Sequence, residues 1–253
     1  MNNNRIISRL DVKNNHVIKG IQLEGLRKVG DPIELALKYF KQGADEIVFM
    51  DAVASLYGRN NLFHIIEEAC KEVFVPITIG GGIRSLDDIE LALKSGADKI
   101  ALNTSAIKNP NMITKAAMVY GSQCIVGSIE AKNKNGSWEA YIDNGREETG
   151  VDAVNWAIKL ENLGVGEIMV TSIDKDGTKS GFDTALVSLI NSQVNIPVIA
   201  SGGAGSNAHI GELLASCNND ISGISLASVL HYNLSTIGEV KESIKSLGLD
   251  VRL

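Results

Sequence analysis

The chain has 253 residues, 44% of them hydrophobic, and a formal net charge of −6. That length fits one large domain or two small ones, and the acidic balance excludes a global attraction to nucleic acid or to anionic lipid, so any phosphate must be held by local groups. No apolar run approaches the roughly 18 residues of a membrane span, and Met1-Asn2-Asn3-Asn4-Arg5 lacks the regions of a secretion signal, so a cytoplasmic protein is expected.

Short apolar runs alternate with amphipathic stretches along the chain. The runs read as strands are Arg5–Val12, Glu46–Asp51, Val75–Gly80, Lys99–Asn103, Cys124–Glu130, Glu167–Ser172, Pro197–Ser201 and Ile221–Leu226. Between them lie helical patterns. Asp31-Pro32 opens one, with a capping carboxylate followed by a proline at the first helical position. Leu62–Val73 is the next, and Ser85 and Asn109-Pro110 open two more. Asp152–Leu163, Asp183–Gln193, Ser206–Ser216 and Ser235–Leu247 follow. Strand-then-helix repeated eight times predicts an α/β fold of the (β/α)8 TIM-barrel class. A doubly wound open sheet is the other arrangement of such units, but it has about six strands and does not explain a two-fold repeat of four units each. Lys132–Gly150 is the longest polar insert and predicts a small hairpin around Trp138-Glu139-Ala140-Tyr141. Cys70, Cys124 and Cys217 lack metal-ligand spacing and read as reduced thiols. His16, His64, His209 and His231 have no mutual spacing that predicts a metal, and no cofactor is expected.

A repeat runs through this pattern. Ile79-Gly80-Gly81-Gly82-Ile83-Arg84-Ser85 returns as Ala200-Ser201-Gly202-Gly203-Ala204-Gly205-Ser206, with Gly81 and Gly202 separated by 121 residues. Glu46 and Glu167, in matching Gly-x-x-Glu-Ile contexts, show the same offset of 121. Ile100-Ala101-Leu102-Asn103-Thr104-Ser105 is echoed by Ile224-Ser225-Leu226-Ala227-Ser228-Val229. A single barrel over residues 1–253 is therefore expected, built from half-barrels of about 1–121 and 122–253. Each half offers backbone N–H groups in a glycine-rich loop, which suits an anion; two such loops suit a ligand with a phosphate at each end. In a barrel the functional residues lie where strands end. Here these are Asp11, Asp51, Gly81-Gly82, Asn103-Thr104, Glu130, Thr171 to Thr178, Gly202-Gly203 and Ala227-Ser228.

At these residues the chain resembles the HisF family, the cyclase subunit of imidazole glycerol phosphate synthase. The motifs are Leu10-Asp11-Val12-Lys13, Gly30-Asp31-Pro32, Gly80 to Ser85, Gly121-Ser122-Gln123-Cys124, Asp174-Lys175-Asp176-Gly177-Thr178 and Ala200 to Gly205. The resemblance covers nearly the whole chain. It implies a lyase/cyclase of histidine biosynthesis that takes ammonia from a HisH-like glutaminase, in a heterodimer. It also implies a bisphosphorylated phosphoribulosyl-formimino-aminoimidazole carboxamide ribonucleotide as substrate. One phosphate would lie at Gly82, Asn103 and Thr104, the other at Asp176, Gly177, Gly203, Ala227 and Ser228, with Thr171 nearby. Asp11 and Glu130 match the acid–base pair, and Lys19, on the long first loop Val12–Gly30, matches a mobile substrate-closing lysine. Arg5, Glu46, Lys99 and Glu167 match a charged gate for ammonia at the barrel bottom, and Asp98 and Gln123 match the rim facing the glutaminase.

Two features depart from the family pattern. Glu130 replaces aspartate, which moves the carboxyl by roughly 1 Å. Ser8-Arg9 replaces Pro-Cys. Arg9 shares a strand face with Arg5, Ile7 and Asp11, so it is expected inside the barrel, paired with Asp11, Glu130 or both, because a buried guanidinium keeps its charge and needs a carboxylate. These changes keep a second function open. HisF-like paralogues resembling this chain in Ile7-Ser8-Arg9-Leu10-Asp11, Ser128-Ile129-Glu130-Ala131-Lys132 and Gly20 to Leu26 supply ammonia for surface-polysaccharide sugar amidation, beside a separate sugar amidotransferase. A noncatalytic phosphate-binding scaffold and the related phosphoribosyl isomerase are lesser alternatives; neither needs the charged gate.

Overall fold

The computed structural model describes residues 4–54 and 62–252. Among the described residues, twelve strands form one sheet: β1 (Arg5–Lys13), β2 (His16–Ile21), β3 (Glu24–Gly30), β4 (Glu46–Asp51), β5 (Ile77–Gly80), β6 (Lys99–Leu102), β7 (Ile125–Lys134), β8 (Ser137–Ile142), β9 (Glu147–Asp152), β10 (Glu167–Ser172), β11 (Val198–Ser201) and β12 (Gly223–Leu226). Eight of them pair in parallel around a ring in the order β1, β4, β5, β6, β7, β10, β11, β12, and β12 returns to β1. The molecule is a closed (β/α)8 TIM barrel. The remaining four strands are antiparallel excursions. β2 and β3 continue from β1, and β8 and β9 continue from β7.

Several outer helices begin where the sequence places capping groups. In α1 (Pro32–Lys41) the Asp31 carboxylate accepts from the N–H groups of Ile33 and Glu34, with Lys38 and Lys41 in the last turn. This arrangement satisfies orphan donors at one end and complements the helix dipole at the other. Reciprocal capping boxes start α3 (Leu86–Lys94) at Ser85 and Asp88, and α10 (Ile237–Ser246) at Thr236 and Glu239. Asp152 caps α6 (Ala153–Leu163), which Gly164 ends in the left-handed conformation. α2 (Phe63–Ala69) is shorter than the Leu62–Val73 pattern and carries no side-chain cap. α5 (Asn111–Tyr120) begins one residue later than Asn109-Pro110 predicts, because Pro110 itself occupies the capping position. α7 (Thr184–Gln193) and α8 (Asn207–Ser216) complete the larger helices. Two short helices, α4 (Thr104–Lys108) and α9 (Ser228–His231), fill the mouths of β6 and β12.

Two loops are more ordered than expected. The first loop is a hairpin, β2–β3, folded over the mouth. The Lys132–Gly150 insert is a three-strand extension of β7 rather than one small hairpin. The sequence repeat reaches the backbone: Asn103 stands at φ −123°, ψ −83°, and Ala227 at φ −131°, ψ −80°, each immediately before a short helix.

The main core lies between barrel and helices. A second apolar cluster, Ile7, Val48, Met50, Ala101, Val126, Met169 and Ile199, fills the barrel interior. The barrel is tied to its last helix by Asp45, whose carboxylate accepts from Ile6 N at 2.7 Å and from Lys241 Nζ at 2.8 Å.

Candidate active site

Alternation along β1 stacks four side chains from the bottom to the mouth of the barrel. Arg5 lies at the bottom, then Ile7, then Arg9, then Asp11 at the rim. Arg9 is 2% exposed. Its guanidinium crosses the interior: Nε donates to Asp11 Oδ1 at 2.8 Å, and Nη1 donates to Thr171 Oγ1 at 2.9 Å and to Ser201 Oγ at 3.3 Å. Of the two partners the sequence leaves open for Arg9, the ion pair is made with Asp11. The second Asp11 oxygen accepts from Lys19 Nζ at 3.3 Å, and Lys19 also bonds Asp176 Oδ2 at 2.7 Å. Lys19 is 3% exposed, so the residue expected on an open loop is a buried bridge between β1 and the loop after β10. Gln22 N donates to the Asp176 carbonyl at 2.7 Å and holds the hairpin down beside it.

The electrostatics of the two rim carboxylates diverge. Burial alone would push Asp11 up, but Arg9 and Lys19 outweigh it and draw the carboxyl down to about 2. Glu130, at the end of the ladder opposite Thr171, is buried and, among the described residues, makes no ion pair; its Oε2 accepts from Asn103 Nδ2 at 3.0 Å. Burial dominates there and lifts it to about 7, against the opposing field of Arg9 and a backbone N–H from Gly145. One carboxylate is held ionised while the other is poised near neutrality.

Two cavities lie near this pair: Glu130 lines the first, and Lys19, which bonds Asp11, lines the second. One of about 290 Å³ is lined by Gly82, Asn103, Thr104 and Glu130, together with Asp51, Arg84, Lys108, Asp143 and Asn144. The second is lined by Lys19, Asp176, Gly177, Gly203, Ala227 and Ser228, with Ser201 and Ser225. At Gly203, φ is +107°, and a Cβ would lie 2.1 Å from the Gly181 carbonyl oxygen. At Gly177, φ is +72°, and a Cβ would lie 2.1 Å from the Gly20 carbonyl oxygen. Both loops need glycine to close. Among the described residues, the buried hydroxyls of Ser225 and Ser228 and the Asn103 amide oxygen have no hydrogen-bond partner. Ser201 and Ser225 were not singled out in the sequence, although strict alternation places both on the inner face with Thr171. Asp143 and Asn144 come from the polar insert, and no strand-end rule finds them.

At the opposite end, Arg5 bonds Glu46 and Glu167, and Lys99 bonds Glu46 at 3.1 Å and Glu167 at 3.0 Å, closing a four-membered ring of alternating charge. Gln123 borders the opening below the ring, lined also by Arg5, Lys99 and Glu167. Asp98 is exposed at the same rim and accepts from Ile77 N at 2.8 Å.

Residues 5–236 match the family described as "Histidine biosynthesis protein". The chain is 58% identical over 206 residues to the "Imidazole glycerol phosphate synthase subunit HisF" of Legionella pneumophila, covering 81% of this chain and 97% of that relative. It is 46% identical to the protein of that name from Dehalococcoides mccartyi over 253 residues, covering 100% of this chain and 99% of the relative.

Proposed function

The chain belongs to the HisF family of histidine biosynthesis proteins, and from that membership we propose that the barrel closes an imidazole ring on a substrate carrying a phosphate at each end. As the cyclase subunit of an imidazole glycerol phosphate synthase, it uses ammonia from a HisH-like glutaminase. It converts the bisphosphorylated formimino ribonucleotide to imidazole glycerol phosphate and aminoimidazole carboxamide ribonucleotide, in a cytoplasmic heterodimer. The relatives favour this reading over sugar amidation.

The observation that carries it is the pairing of two glycine-walled cavities across one carboxylate pair. Gly82, Asn103 and Thr104 take one phosphate. Gly177, Gly203, Ala227 and Ser228 take the other, with Thr171 and Asp176 in support. Ser225 and Ser228 are hydroxyl donors awaiting acceptors in a buried place, and phosphate oxygens satisfy them. Lys19 and the hairpin cover the bound substrate and exclude water. Glu130 and Asp11 stand between the phosphates, where ring atoms lie. The ring of Arg5, Glu46, Lys99 and Glu167 admits ammonia from the bottom face, where Asp98 and Gln123 meet the glutaminase.

The test is ammonia-dependent turnover of the bisphosphorylated intermediate by the purified protein, followed by its absorbance change. We expect turnover that falls about 10²–10⁴-fold in Asp11→Asn. No turnover with ammonia or with the glutaminase complex, restored by Arg9→Cys combined with Glu130→Asp, would overturn it.

A further inference from the structure

We propose that Arg9 is a positioning residue that holds Asp11 as a permanent carboxylate, so that the proton traffic of ring closure runs through Glu130. The assignment of the proton traffic rests on the cyclase reading, while the fixed charge on Asp11 does not.

The geometry argues it from both sides. Asp11 receives two cations on separate oxygens, Arg9 Nε at 2.8 Å and Lys19 Nζ at 3.3 Å. To accept a proton, Asp11 would have to give up charge-assisted bonds and strand a guanidinium in the barrel interior. That guanidinium cannot shed its own proton, and its Nη1 already engages Thr171 and Ser201. Asp176 shares Lys19, and His231 faces the same carboxylate but is held neutral by burial, drawn down to about 4.

Glu130 is differently placed. Its hydrogen-bond donors are neutral, the Asn103 amide and the Gly145 N–H. Arg9 reaches it only through its field, which Asp11 and Asp176 oppose, and Asp51, Arg84, Lys108 and Asp143 line the same cavity. A buried carboxyl without a bonded cation exchanges its proton readily near neutral pH.

The roles then balance. Glu130, as the acid, gives its proton to the nitrogen that leaves and becomes a carboxylate. The ammonia nitrogen bonds to the ribulosyl ketone carbon, and the ketone oxygen leaves as water with two of the ammonia hydrogens; the same nitrogen then bonds to the formimino carbon as that carbon's bond to the aminoimidazole nitrogen breaks. Glu130 recovers a proton from the ammonia-derived nitrogen, and a second proton passes through it from the adjacent methylene to the leaving amine as the ring becomes aromatic, so its net change is zero. Asp11 keeps its charge throughout and stabilises positive charge on the attacking nitrogen.

The experiment is a carbon-13 NMR titration of the full chain with labelled aspartate and glutamate carboxyls. The Glu130 signal is identified by its loss in Glu130→Gln and the Asp11 signal by its loss in Asp11→Asn. In the unsubstituted protein the Glu130 signal is expected to titrate near neutrality while Asp11 stays ionised well below the usual aspartate range. Arg9→Gln is expected to raise the Asp11 midpoint by at least about one pH unit, a tenfold gain in proton affinity, and Arg9→Lys to leave it low.

An Asp11 midpoint in the ordinary range, or one unmoved by Arg9→Gln, overturns the proposal. If Arg9→Gln does not fold, the unsubstituted protein and Arg9→Lys decide it. The NMR pattern without ammonia-driven turnover would sink the cyclase reading and leave the Arg9–Asp11 assignment standing. Turnover whose neutral pH limb survives in Glu130→Gln would sink the proton assignment and leave the cyclase reading intact.

Discussion

Glu130 and Asp11 make opposite demands on the fold. Burial lifts Glu130 from 4.5 to about 7, so between those values the folded state holds a proton that the unfolded chain has released. Its contribution to stability is greatest below about pH 4.5 and is lost as pH rises through 7. Urea unfolding at about pH 5 and about pH 8 should show this fall, on the order of 2–3 kcal/mol, and Glu130→Gln should flatten it. Asp11 runs the other way. Lowered from 3.8 to about 2 against its own burial, it contributes stability above its unfolded value and loses it as pH falls through the folded one. Acid unfolding of Asp11→Asn should therefore begin from a less stable protein and show a shallower slope below about pH 4. In kinetics, Glu130→Gln is expected to lower kcat by about 10²–10⁴-fold with a smaller effect on KM, as measured by ammonia-driven turnover.

At the scale of elements, the β2–β3 hairpin covers the mouth. It is anchored to the opposite side of the mouth by Lys19, by Gln22 on the Asp176 carbonyl, and by the close approach of Gly20 to Gly177. Gly177→Ala places a methyl against the Gly20 carbonyl and forces the hairpin away. Faster protease cleavage between Lys13 and Gly30 and a raised KM are expected, while the barrel's unfolding transition moves by no more than about 1–3 kcal/mol.

This hairpin was also the part of the fold least legible from the chain. Eight apolar runs announce the barrel strands, since parallel strands buried on both faces read as continuous hydrophobic segments. In the hairpin, a buried lysine and Gly20 interrupt the alternation. Its turn uses Gln22 and Leu23 at φ 52° and 62°, residues that do not announce a left-handed turn. The insert after β7 turns through Asn135-Gly136 at φ 54° and 91°, the usual chemistry of such a turn, whereas the sequence reading centred its hairpin on Trp138-Glu139-Ala140-Tyr141, which lies within β8. At the mouth, alternation put Arg9 inside the barrel but left its partner open between two carboxylates. That choice depends on how far the strands are staggered around the barrel, which no single strand records.

At the scale of the whole molecule, β1, β4, β6 and β10 meet in the ring at the bottom. Arg5 and Lys99 share Glu46 and Glu167, with Arg5 and Lys99 side chains still 16% and 18% exposed. Glu46→Gln leaves two cations on one carboxylate. Because solvent reaches the ring, the expected cost is roughly 1–3 kcal/mol in chemical denaturation, below that of a fully buried pair. With glutamine as nitrogen source, Glu46→Gln should alter turnover more than it does with added ammonia, since added ammonia can also enter from the mouth.

Between that ring and the rim lies the apolar layer of Ile7, Val48, Ala101, Val126, Met169 and Ile199, with the Arg9 guanidinium above it. A solute travelling upward must leave its hydration shell in the layer and then pass a fixed positive charge. An ammonium ion fails both conditions, the first by the cost of desolvation and the second by repulsion. On the proposed function, nitrogen would cross the barrel only in its uncharged form. Acidifying the medium would throttle supply as well as chemistry, because the share of nitrogen able to make the journey shrinks about tenfold with each pH unit.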